Sequence, residues 1–186
     1  MSWLKRVSGA PDAIELADVK AALAIIGNAD DALLSRLIDS AQASLDGAEG
    51  RLARCLSVQT WQLGFGGFPL GGPISIPLPP LISINGISYV DGNGDAKEFE
   101  DFTVDGIGST DKAVLNATGR WPYGTNVIIE FTCGFGELPE DLRDALIAIV
   151  GSRYAWRESQ VMAQGSLSAM PEVEDAIDRW TVKGFG

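Results

Sequence analysis

Asp91-Gly92-Asn93-Gly94-Asp95 is the stretch whose residue types come nearest to chemistry, because its spaced oxygens open like an EF-hand calcium loop. The match stops early. Position six is Ala96, where the sharp turn needs glycine, and position twelve is Phe102, where a bidentate glutamate is required. A tight hairpin turn, with glycines supplying positive φ, is the expected use. Glu98, Glu100, Asp101 and Asp105 follow closely. Two carboxylates suffice for glycosidase-type hydrolysis, and separation in space defines such a pair, so a carboxylate-dependent hydrolase stays open beside a solvated charged face. The chain contains no histidine, which removes Ser-His and Cys-His nucleophile pairs and histidine-bound metals. Gly64, Gly66 and Gly67 precede neither a helix nor a Lys-Ser/Thr pair, so they do not form a phosphate cradle. No catalytic, cofactor-binding or metal-ligating residue is expected, and no cofactor.

The elements that must position any such group change period twice. Residues 1–12 carry little pattern and are expected to be a loose arm. From Ile14, the positions Leu16, Val19, Ala22, Leu23 and Ile26 repeat at three and four, with Gly27 placed as a C-cap. Leu34, Leu37, Ile38, Ala41, Leu45, Ala48, Leu52 and Cys55 continue as one stripe of a longer second helix, which Gly47 and Gly50 weaken if interior. Residues 58–135 switch to short alternating runs punctuated by Gly and Pro. About six strands are expected there, in a small antiparallel sandwich or rolled sheet. Pro139 opens a further helix to about Arg157, and Pro171 opens a last short one. The fold class is therefore α+β: a helical bundle with an inserted small antiparallel β domain. The expected divisions are 1–57 for an arm and the N-terminal helices, 58–137 for the β region, 138–158 for a bundle helix, and 159–186 for a linker and C-terminal docking helix.

Composition bounds the partners. The chain has 186 residues, with 25 Asp and Glu against 14 Lys and Arg, a formal charge of −11. Such a surface repels phosphate backbones and anionic head groups. Neither an apolar leader nor a run of about 18 apolar residues is present, so no membrane association is expected and the protein is expected to be made and kept in a cytoplasm. Cys55 and Cys133 lie among apolar neighbours and are expected to be buried and reduced. Trp61 and Trp121 suit a core. Trp156, and the last helix's stripe of Val173, Ala176, Ile177 and Trp180, suit a protein interface; of these Trp156, Val173, Ile177 and Trp180 are the candidate partner-binding residues.

Several phrases recur in a fixed order: Leu16-Ala17-Asp18-Val19-Lys20-Ala21-Ala22-Leu23, Asp30-Asp31-Ala32-Leu33-Leu34, Gln59-Thr60-Trp61, Pro77-Leu78-Pro79-Pro80-Leu81, Tyr89-Val90-Asp91, and Phe131-Thr132-Cys133-Gly134-Phe135 before Leu138-Pro139. Together they resemble the head-to-tail connector, or adaptor, proteins of tailed bacteriophages and gene transfer agents, over residues 14–157. The resemblance implies a non-enzymatic virion structural protein at the head-tail junction. It implies a homo-oligomeric ring of twelve copies, monomeric until templated, between a portal protein and a stopper or tail-completion protein. DNA would pass through the ring without specific binding. A module that uses its β region to bind carbohydrate or protein is the other alternative.

Overall fold

A computed structural model describes residues 2–159 and 170–182, the side chains of 156–159 excepted. The chain divides into two compact units, Met1–Pro11 with Ser57–Gly136, and Asp12–Leu56 with Glu137–Gly186. The first holds every described strand and the second every described helix.

The β unit is arranged around the alternation of its last strand. In β8 (Thr125–Cys133), Val127, Ile129, Phe131 and Cys133 are fully buried, while Ile128, Glu130 and Thr132 between them are half-buried. A period of two places the first set on one face. The strand pairs antiparallel with β2 (Gln59–Gly67) on one side and β4 (Leu81–Val90) on the other. The register sets Trp61 opposite Phe131 and Leu63 opposite Ile129, so the buried rows face each other across the ladder. Adding β1 (Ser2–Arg6) and β5 (Ala96–Glu98) gives a five-stranded sheet in the order β1-β2-β8-β4-β5. A second sheet has the order β3-β7-β6, from Ile74–Ile76, Ala113–Ala117 and Phe102–Asp105. Among the described residues, seven strands stand within 58–135, where about six were expected.

The N-terminal arm is not loose: it is the edge strand β1. Ser2–Arg6 runs antiparallel to β2, and Val7 N donates to Thr60 O at 2.8 Å. Its anchor is Trp3, whose indole lies across Gly64 so closely that a Cβ there would stand 2.0 Å from the ring. Arg6 adds a guanidinium 5.0 Å from the Trp61 ring centroid.

In the helical unit, α1 (Leu16–Ala22) and α2 (Asp31–Leu45) bury Val19, Leu34, Ile38, Ala41 and Leu45. With Leu142, Ala145, Leu146 and Val150 of α3 (Glu140–Ser159), these residues make its core. Both N-terminal helices end before the sequence periodicity does. The first stops at Ala22, and Ala24 takes φ 54 ahead of Gly27 at φ 85. The second stops at Leu45 because Asp46 becomes extended and turns its carboxylate to the Leu56 amide at 2.7 Å. Gly47 follows at φ 76, and Gly50 sits where a Cβ would come within 2.3 Å of the Leu45 carbonyl. These two glycines build a turn rather than weaken a helix. Leu52 and Cys55 stay buried, but on a folded-back segment. Among the described residues, no helix is long and apolar enough to cross a membrane.

The seat of Trp3 can be tested directly. Gly64→Ala should expel the indole and release β1. In hydrogen exchange the amides of Lys5 and Val7 should lose protection, while that of Ile129 keeps it. Unchanged protection at Val7 would mean that Trp3 does not hold the strand.

Candidate functional site

The residues singled out from sequence divide between two places. Val173, Ala176, Ile177 and Trp180 share one face of α4 (Pro171–Trp180), which opens on its proline as expected. The element is packed against α3 and the 51–54 segment of the same unit: Ile177 is 1% exposed, Ala176 is buried, and Val173 and Trp180 are half-buried. Trp180 donates its Nε1 hydrogen to Asp141 Oδ2 at 2.7 Å, and the Arg54 guanidinium lies 5.3 Å from its ring centroid. Val182 N donates to Leu52 O at 2.9 Å. Arg51 makes two hydrogen bonds to the Glu174 carboxylate, at 3.1 and 2.7 Å. This pairing holds the Glu174 carboxyl below its ordinary range and raises Arg51. The contact therefore contributes above the ordinary carboxylate pKa and is lost as pH falls through the lowered value. The sequence assigned this stripe to another protein; in the structure the chain's own unit covers it. Trp156 lies in α3, its side chain outside the described residues.

The DGNGD stretch is a turn closing the β4–β5 hairpin. Asp91 N donates to Asp95 O at 2.9 Å, Gly94 takes φ 90, and Asp91 Oδ1 accepts the amides of Asn93 and Asp95 at 2.8 and 3.0 Å. Those amides hold the Asp91 carboxyl below its ordinary value. Its acceptor capacity serves the backbone. Glu98, Glu100, Asp101 and Asp105 are exposed on β5, β6 and the link between them, and Asp105 accepts from Asn116 Nδ2 at 3.0 Å.

Periodicity missed a third place, formed by the β2–β3 loop (68–73) and the β7–β8 loop (118–124). Together with adjoining strand residues they wall an open groove of about 730 Å³. Trp121 is half-buried rather than central. It donates from Nε1 to Gly72 O at 2.9 Å and stacks on Phe68, with centroids 5.3 Å apart and planes at 13°. Phe68 also meets Tyr89 edge-on at 5.4 Å. The tips are apolar and open: Leu70 is fully exposed and Tyr123 is 88% exposed. One sequence signal does mark this face, for residues 57–90 contain no charged side chain, and 113–129 contain only Arg120.

Among the described residues, no group of three or more Cys, Asp or Glu side chains is placed to hold a metal ion. No protein-family model matches the chain, and no curated protein matches it. Solved structures do. One similar chain is from the neck of an empty gene transfer agent particle computed with C6 symmetry, with TM-score 0.78, 24% identity, 99% of this chain and 97% of that chain covered. The fold is that of a gene transfer agent neck chain. Another match lies in the virion of a native gene transfer agent particle, at TM-score 0.76 and 24% identity, covering 98% and 97% of the two chains. A third is from the neck of a native particle computed with C12 symmetry, at TM-score 0.71 and 22% identity, covering 99% and 97%. The likeness includes both units from end to end, in agreement with the α+β class expected from sequence.

The role of α4 separates by truncation. Ending the chain after Ser166 should lower the melting temperature clearly, and Ile177→Ala should cost about 2–5 kcal/mol in urea unfolding, as for a buried isoleucine. An unchanged melting temperature would return the stripe to a docking role.

Proposed function

We propose that this chain is a structural, non-enzymatic protein of a virion-like particle, at the neck where head joins tail. It acts there as a head-to-tail connector, with copies closing a ring between the portal and a stopper or tail-completion protein. The observation that carries this reading is the end-to-end likeness of fold to chains from gene transfer agent necks, computed with six-fold and twelve-fold symmetry. A symmetric neck needs a repeated subunit, and a ring of twelve copies is what the resemblance of the sequence implies.

The chain's charge fits a conduit. Each copy carries −11, and an acidic ring repels the phosphates of passing DNA, which then meets no adhesive wall. A positive ring would hold DNA by counterion release and slow its exit. Work through contacts alone is compatible with a chain that has no histidine and in which Asp91 and Asp46 serve turns and Asp141 anchors a helix.

Deletion of the gene from a producing strain tests the proposal. Electron microscopy should show heads and tails unjoined, and a copy supplied in trans should restore joined particles. Joined particles of normal infectivity or transfer activity without this chain would overturn it.

A further inference from the structure

The ring proposed above, on which this inference rests, sets identical chains of charge −11 side by side. Neighbours repel unless the surfaces that meet are charge-poor or opposite in sign. A cyclic ring also uses two different patches of the same chain, one on each side of the contact.

The loop face described above meets the first requirement. Loops 68–73 and 118–124 contain no acid and one cation, Arg120. Their exposed Leu70 and Tyr123 flank the 730 Å³ groove, backed by Phe68 and Trp121. Loss of charge, with aromatic side chains and arginine, is the composition of an interface core rather than of free surface. The loops are also braced: Trp121 reaches the Gly72 carbonyl, and Thr118 N donates to Asp101 O at 2.8 Å. A braced surface loses little conformational freedom on docking.

The complementary patch is the stretch 98–105, with Glu98, Glu100, Asp101 and Asp105 exposed and no cation among them. Phe99 within it lies 5.4 Å from Trp121 and 5.8 Å from Phe68, centroid to centroid. One aromatic cluster therefore holds both patches in a fixed relation. Ring closure depends on that relation, because a head-to-tail contact closes only when its repeated rotation returns to the start and otherwise gives an open filament.

We infer that the 68–73/118–124 loop face of one copy docks on the acidic 98–105 stretch of the next, with Leu70 and Tyr123 as apolar anchors and Arg120 as the charge partner. The full-length chain is titrated onto purified portal rings of the same particle, and copies per portal are read by native mass and negative-stain microscopy. Arg120→Glu, the pair Leu70→Asp with Tyr123→Asp, and the pair Glu100→Arg with Asp101→Arg should each raise the half-assembly concentration about tenfold or more. Circular dichroism should stay unchanged, since these positions are exposed. Combining Arg120→Glu with the two acid reversals in one chain should restore assembly to within about threefold of wild type.

Rings that form at the wild-type concentration despite the loop changes would overturn this contact and leave the ring standing. Loss of portal binding by single copies of Arg120→Glu, without rescue by the acid reversals, would assign the face to the portal and overturn the self-contact. Wild-type chain that binds the portal singly and never closes would overturn the ring, and this contact with it.

Discussion

The ladder that β8 makes with β2 on one side and β4 on the other is the interaction on which the β unit depends. Burying Val127, Ile129, Phe131 and Cys133 on one face fixes the register, since a slip of one residue would turn that row out and bring Glu130 in. With the register fixed, the connections at the strand ends fall where they do. The loop leaving β2 starts at Gly67 and the loop entering β8 ends at Thr125, and these two residues are paired, so the loops stand side by side. The groove and its aromatic floor follow from that neighbourhood. Gly124 makes the approach possible, since a Cβ there would stand 2.4 Å from the Tyr89 ring.

The helical unit solves a different problem with the same economy of charge. Its two chain segments are separated by the whole β insertion, yet the residues that join them are buried apolar side chains bordered by ion pairs. Arg143 reaches Asp18 at 3.3 Å, Arg51 reaches Glu174 at 2.7 Å, and Tyr154 donates to Asp30 at 2.7 Å. Such exposed or half-exposed pairs add little stability each. Their use is to fix which surfaces meet.

Legibility in the sequence followed the physical reach of each signal. Pro139 and Pro171 marked helix starts because a missing N–H and a fixed φ act locally. The α2 C-terminus was misplaced because burial continued at helical spacing after the backbone had turned: Leu52 and Cys55 are as buried as Leu45 but reach the core through Gly47 and Gly50. Beyond α1 the spacing continued to Ile26, although Ala24 turns the chain at φ 54 and leaves Ile26 exposed. Strand β1 left no trace because its partner Gly64 lies far along the chain, and what joins them is an absence, a glycine with no Cβ beneath Trp3. The loop face was hidden for a related reason. Its mark is a lack of charged residues over 57–90, and periodicity does not register missing charge. The apolar stripe of α4 was visible, but one helix face alone cannot say whether the chain or another protein covers it.

A neck protein is defined by where it sits, so its position in the particle tests the account most directly. A cryo-electron microscopy reconstruction of the particle's neck should show copies of this chain as a closed ring between portal and tail, with the loops at 68–73 and 118–124 of each copy against residues 98–105 of the next. A neck whose density at that level is built from other chains, or that contains this chain only as isolated copies, would contradict it.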